Sequence, residues 1–207
     1  MKLNYFLMLI AFAFFGFLGC NNKTEPQPPE TFEFNPEFLK IGNSWTYDYY
    51  EYFNNKEKKS SETYTITETE QNYLGDVAYF YGNKKEFCYV KYNSYYFGFG
   101  KFDDFYADKY VNQPTIFKKY HIGEKWEYER TAYTTTRVIN SVNVSVTVPA
   151  GTFSCIEIKE TKTGPSWTLS EYYSRFYYIN SEYGLIKDST NDGISIYTYT
   201  LKSTNIK

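Results

Sequence analysis

From about residue 40 onward, apolar and polar residues alternate in short runs, and helical spacing is hard to find. Between Ser141 and Val148 the valines at 142, 144, 146 and 148 fall on one side of an extended chain. Ser141, Asn143, Ser145 and Thr147 fall on the other, as a strand with one wet face requires. Pro149-Ala150-Gly151-Thr152 then turns the chain, and Phe153 to Lys159 reads as the returning arm of a hairpin. Other strands are predicted at Thr46 to Phe53, Glu62 to Glu70, Val77 to Tyr81, Phe87 to Tyr92, Tyr95 to Phe99, Lys125 to Tyr133, Ser170 to Tyr178, Gly184 to Lys187 and Ile194 to Leu201. Roughly ten or more antiparallel strands at short intervals predict an all-β fold: a sandwich, a barrel or a large curved sheet.

The pattern contains a repeat. Ile41-Gly42-Asn43-Ser44-Trp45-Thr46-Tyr47 recurs as Ile122-Gly123-Glu124-Lys125-Trp126-Glu127-Tyr128. Each copy reads as a glycine turn feeding a strand whose Trp and Tyr, two residues apart, share a face. Two related β segments are expected, about 36 to 118 and 119 to 207. Two copies at this spacing do not make a solenoid, so both belong to one all-β domain spanning 32 to 207.

Ahead of that domain the chain changes character. Lys2 gives a positive start, Leu7 to Leu18 an apolar run, and Phe17-Leu18-Gly19-Cys20 a cleavage box of the bacterial lipoprotein type. The run is short for a permanent membrane helix, and Asn21 and Asn22 end it abruptly, so residues 1–19 are expected to be a removed export signal. The mature chain then begins at a lipidated Cys20, whose acyl chains (palmitate among them) each contribute about 0.8 kcal/mol per buried methylene to membrane retention. Residues 20–31, with Pro26, Pro28 and Pro29, form an extended tether. Asn21 is not the Asp that retains lipoproteins in an inner membrane, which points to the outer membrane of a cell envelope, on its periplasmic or its surface side.

With the Gly-x-x-Trp-x-Tyr segments, Val146-Thr147-Val148-Pro149-Ala150-Gly151-Thr152-Phe153 and Tyr183-Gly184-Leu185-Ile186-Lys187 in view, the mature chain resembles uncharacterised secreted and lipidated β-proteins of Gram-negative bacteria that carry a VPAGTF hairpin. That resemblance implies an open half-barrel similar to lipoprotein-carrier proteins. It implies no activity, because no catalytic residues are attached to these motifs.

Composition narrows the chemistry. The full chain carries a net charge of −2, without a basic run, which argues against a nucleic-acid partner. Aromatics are 22 % of residues, with 25 Tyr and 18 Phe, so the core of a Leu-poor domain has to be aromatic; Trp45 and Trp126, being repeat-equivalent, are expected there. Trp167, after Gly164-Pro165-Ser166, and the run at Tyr95, Tyr96 and Phe97 are the candidate ligand contacts, because exposed rings stack on sugars or shelter acyl chains. Cys88 and Cys155 are candidate disulfide partners in an oxidising compartment, two free buried thiols being the alternative. The lone His121 has no nucleophile motif to serve, and Asp103, Asp104 and Asp108 lack the spacing of a calcium loop; no catalytic residue, metal or cofactor is expected. Asp188-Ser189-Thr190 matches a short O-glycosylation pattern. The leading expectation is a non-enzymatic envelope protein, anchored through Cys20, that binds a protein, a lipid or other hydrophobic ligand, or a glycan. A hydrolase with paired carboxylates drawn from residues such as Glu68, Glu70, Glu127, Glu129 and Glu157, and a structural surface component, are the alternatives.

One consequence is directly measurable. Cys20→Ser is expected to abolish palmitate labelling and to leave the chain unprocessed at the 19/20 junction, read by metabolic labelling and intact mass.

Overall fold

The computed structural model describes residues 28–71, 77–81, 86–91, 94–98, 115–130, 133–164 and 173–207. These form fourteen strands and, among the described residues, no helix: β1 (Phe32–Glu33), β2 (Ser44–Phe53), β3 (Lys56–Gln71), β4 (Val77–Tyr81), β5 (Glu86–Lys91), β6 (Ser94–Gly98), β7 (Ile116–Phe117), β8 (Lys119–Tyr120), β9 (Lys125–Arg130), β10 (Tyr133–Val148), β11 (Gly151–Thr163), β12 (Ser174–Asn180), β13 (Gly184–Asn191) and β14 (Ser195–Thr204). The fold is all-β and antiparallel, one large curved sheet that does not close into a barrel.

Strand order explains the shape. The main sheet runs β7-β6-β5-β4-β3-β2-β14-β13-β12-β11-β10-β9, with β1 and β8 paired separately. Two up-and-down meanders, β2 to β7 and β9 to β14, are thus joined by pairing the first strand of one to the last strand of the other. The ends of the domain meet inside the sheet, and the break falls between β7 and β9, in the middle of the chain. There Phe117 and Trp126 touch edge to face at 5.2 Å without a backbone ladder between their strands.

The two glycine turns are built alike. Gly42 donates to the Ile66 carbonyl and Ile66 to the Asn43 carbonyl; Gly123 donates to the Ile139 carbonyl and Ile139 to the Glu124 carbonyl, all at 2.8–2.9 Å. Both glycines sit at positive φ, 92° and 84°, which side-chain-bearing residues adopt at a cost. Both isoleucines are fully buried, and just beyond each the long strand shifts register, between Ile66 and Glu68 in β3 and between Ile139 and Ser141 in β10. A second shift follows between Ser141 and Val144, around Asn143 at φ 58°. These bulges bend the sheet and close one end of the half-barrel.

That closed end holds the core. Val146, Val148, Cys155, Ile156, Ile158, Ile179, Ile186 and Leu201 are buried there together with Phe34 and Phe38 from the segment preceding β2. The segment is laced across the opening: Phe34 donates to the Lys118 carbonyl and Glu37 to the Ser181 carbonyl. Phe38 meets Trp45 edge to face at 5.9 Å and packs so closely on Gly184, itself at φ 82°, that a methyl there would lie 3.2 Å from the ring. The Trp45 indole donates to the Tyr183 carbonyl at 2.6 Å and the Tyr47 hydroxyl to the Leu185 carbonyl at 2.8 Å, while Phe153 packs on Tyr183 at 5.2 Å. The three motifs read from the sequence therefore converge on one cluster. Most expected strands are found, several of them longer: β3 starts at Lys56 and β10 at Tyr133, where polar residues, exposed in β3 but buried as Thr135 and Arg137 in β10, hide the alternation. The expected strand Lys125 to Tyr133 divides instead, since β9 ends at Arg130 and Tyr133 opens β10; Tyr92, Phe99 and residues 170–172 of other expected strands lie outside the described residues.

Phe38→Ala is expected to cost about 3–5 kcal/mol by opening a cavity, and Gly184→Ala about 1–3 kcal/mol through its backbone conformation, with the contact to Phe38 adding to it. The double substitution should cost less than the sum, since the contact disappears with the ring; urea denaturation of the three variants measures this.

Candidate functional site

Away from the closed end, the inner face of the sheet turns polar. Residues directly opposite one another on antiparallel strands share a face. One row of such partners runs Arg137 (β10), Glu160 (β11), Arg175 (β12), Thr190 (β13), Tyr197 (β14) and Glu51 (β2). The neighbouring row runs Ile139, Ile158, Tyr177, Asp188, Tyr199 and Tyr49.

The β10–β12 part of this surface is a buried ion-pair network. Arg137 and Glu160 are 5 % and 2 % exposed. The Arg137 Nε and Nη2 donate to Glu160 Oε2 at 2.7 Å, and Tyr177 donates to the same oxygen at 3.0 Å. The hydroxyl of Tyr173 donates to Oε1 at 2.8 Å, and the Arg137 guanidinium lies 5.2 and 5.3 Å from the ring centres of Tyr128 and Tyr177. Burial by itself pushes the Glu160 carboxyl up. Arg137 and Arg175, with the hydrogen bonds from Tyr173 and Arg137, outweigh it and hold the carboxyl at about 2. Thr135, two residues before Arg137, is fully buried, and its hydroxyl finds no hydrogen-bond partner among the described residues.

Next to this network the surface opens. Arg175 donates from Nε to Asp188 Oδ1 at 2.9 Å and from Nη2 to Oδ2 at 2.5 Å, a bidentate pair with the guanidinium 4.5 Å from the Tyr177 ring centre. The Asp188 side chain is 6 % exposed, but that of Arg175 is 31 % exposed. The pair forms the floor of a hollow of about 240 Å³ lined by Tyr49, Thr190, Tyr197 and Tyr199 as well. Tyr49 and Tyr199 stand with ring centres 4.8 Å apart, tilted by 42°, and the Tyr49 hydroxyl donates to Glu51. Such a surface offers aromatic faces and hydroxyls around a neutralised charge pair. Among the described residues no cluster of three or more His, Cys, Asp or Glu could hold a metal ion.

Several residues singled out in the sequence lie elsewhere. Tyr95 is a core residue, 9 % exposed, against Phe34 at 5.2 Å, and is not available as a ligand contact. Tyr96 and Phe97 continue β6, but their side chains, and Cys20, Trp167, Asp103, Asp104 and Asp108 altogether, lie outside the described residues. Cys155 is a free, buried thiol pushed up to about 12 by burial; the side chain of Cys88, on β5, lies outside the described residues. Trp45 is buried and Trp126 half-buried. The Asp188-Ser189-Thr190 triplet lies inside β13, with Asp188 engaged by Arg175, a setting that does not suit glycosylation. His121 sits at the surface with Nδ1 3.4 Å from Glu124. The polar rows themselves escaped the sequence reading, because Arg137, Glu160 and Arg175 are spaced like ordinary surface residues of amphipathic strands.

Glu160→Gln leaves Arg137 buried without its charge partner and is expected to cost about 3–5 kcal/mol at neutral pH. Because the folded carboxyl lies near 2 and its ordinary value is 4.5, the charged form stabilises the fold fully above 4.5. That part is lost as the pH falls toward 2. Denaturation curves of wild type should therefore weaken across this window, and those of Glu160→Gln should lack this component.

No protein-family model matches the chain, and no curated protein does. Among solved structures, the chain is similar to a provisionally assigned lipoprotein of Parabacteroides distasonis, with 15 % identity, 84 % of this chain and 99 % of the other covered, and a TM-score of 0.43. A provisionally assigned exported protein of Bacteroides fragilis with a YmcC-like fold gives 12 % identity, the same coverage and a TM-score of 0.44. The hypothetical lipoprotein YmcC of Escherichia coli gives 12 % identity, 77 % and 84 % coverage and a TM-score of 0.37.

Proposed function

We propose that this protein is a lipid-anchored, non-enzymatic binding protein of the cell envelope, held at the outer membrane through Cys20, and that its ligand site is the tyrosine-lined hollow over Arg175 and Asp188. The observation that carries the reading is the division of the inner face. Its apolar half is filled by the chain's own Phe34, Phe38, Trp45 and Leu201, whereas the hollow stays open. Among the described residues the apolar half of the inner face is filled by the chain's own side chains, which favours a polar ligand over the hydrophobic one. Non-enzymatic action is supported by the state of two inner-face carboxylates, Glu160 and Asp188. Hydrolysis of a glycosidic bond needs one carboxyl kept protonated as the acid. Glu160 is held ionised by Arg137 and Arg175, and both oxygens of Asp188 are occupied by Arg175.

Phe32 pairs with Tyr120 just before β9, and β2 and β9 run in the same direction, so the tether enters where these strands begin. Tyr49 and Glu51 lie five and seven residues further along β2, about 16 to 23 Å away at 3.3 Å per residue. The hollow thus lies on the half of the domain away from Phe32.

The test uses the mature lipidated protein in detergent, exposed to oligosaccharides, peptides and medium-chain fatty acids, with bound material recovered and identified by mass. A soluble polar ligand returned chemically unchanged, and lost on Tyr197→Ala, is the expected result. Recovery of cleaved product would show an enzyme, and stoichiometric acyl chains in the protein as isolated would show a carrier; either result overturns the reading.

A further inference from the structure

Building on the binding reading of the hollow, we infer that its ligand is a neutral saccharide, stacked on Tyr49 and Tyr199 and hydrogen-bonded at its edge to Thr190 and the Arg175–Asp188 pair. The charge of the hollow is the first argument. Arg175 and Asp188 neutralise each other through two hydrogen bonds, and beside Tyr49 the Glu51 carboxylate faces the Lys58 ammonium at 4.0 Å, so the charges around the hollow are balanced. An anion-binding site would present the guanidinium fork to its ligand; here Nε and Nη2 are both spent on Asp188.

The second argument is shape and chemistry. A sugar ring has an apolar C–H face and a rim of hydroxyls that both donate and accept. The hollow supplies the complement of each. Tyr49 and Tyr199, 4.8 Å apart and tilted by 42°, make a folded aromatic wall rather than a closed stack, and Thr190 and Tyr197 add further hydroxyl-bearing side chains. Its volume of about 240 Å³ lies below the range of roughly 300 Å³ and above in which drug-sized ligands are enclosed. That size suits one sugar ring of a longer chain that continues over the surface. The third argument is preorganisation. Asp188 is nearly buried, Arg175 rests on the Tyr177 ring at 4.5 Å, and Tyr177 is tied to Glu160 and Arg137, so little ordering remains to be done on binding.

The probes are maltohexaose, cellohexaose and mannohexaose as neutral chains, oligogalacturonate as an anionic one and decanoate as an apolar one. They are titrated calorimetrically against the mature protein at low and high salt. At least one neutral chain is expected to bind with little dependence on salt. Tyr49→Ala and Tyr199→Ala should each weaken it by roughly tenfold, the scale of a lost aromatic contact. Tyr52→Ala, on the opposite face of β2, should leave it unchanged, and thermal melting establishes that each variant is folded. Preferential, salt-sensitive binding of oligogalacturonate, Tyr49- and Tyr199-dependent binding of decanoate, or neutral-sugar binding indifferent to both tyrosines would each overturn the inference. The first of these leaves the broader reading of a polar ligand in the hollow standing, whereas decanoate binding removes its polar ligand and sugar binding indifferent to the tyrosines removes its site. If no neutral chain binds while another class of polar ligand does, the saccharide assignment alone fails; if nothing binds at all, both fail.

Discussion

The pairing of β2 with β14 is the contact on which the rest of the molecule depends. It joins residues near 50 to residues near 200, so it is the most expensive ladder in chain entropy and the one that converts two meanders into one sheet. Local hairpins build each meander without help. Only the β2–β14 ladder, backed by the bonds from Trp45 and Tyr47 to the Tyr183 and Leu185 carbonyls, brings Tyr49 beside Tyr199 and so creates the hollow. Fold and candidate site therefore share one non-local interaction.

An open curved sheet has to cover its inner face without helices. Here the coverage comes from three sources with different chemistry. Bulges in β3 and β10 bend the sheet at one end, the segment carrying Phe34 and Phe38 fills that end, and an ion-pair network fills part of the other. Burying Arg137 with Glu160 costs desolvation that apolar side chains would avoid, and such a pair contributes little net stability against an apolar filling. Removing either member is expensive, however, which fixes both residues in place. The same network supports Arg175, whose exposed edge forms the floor of the hollow.

The strand pattern, the turns and the repeat were legible in the residues because each is a local property. Alternation at Val142 to Val148 requires only the two-residue period of a strand, and Pro149 and Gly151 mark a turn whatever surrounds them. The equivalence of Gly42 and Gly123 was visible for the same reason: positive φ is a demand on one residue. Less legible were the starts of β3 and β10, where lysines and serines in one and a run of threonines and Arg137 in the other mask the alternation. Tyr95 illustrates the limit well. Its sequence neighbourhood is that of an exposed aromatic run, and it is contacts with distant residues such as Phe34, more than sixty residues away, that make it core.

Composition and spacing by themselves determined an all-β antiparallel chain with two related glycine-turn segments and a core rich in aromatics, since period, turn chemistry and residue type are all written in consecutive residues. Which strands meet, where the sheet stays open, and which of many tyrosines and carboxylates face one another were decided only by tertiary structure. Arg175 and Asp188 are thirteen residues apart, and Tyr49 and Tyr199 a hundred and fifty. No local pattern distinguishes them from their neighbours, because the charge pairing and ring contacts that make them a site exist only across strands that the fold has placed side by side.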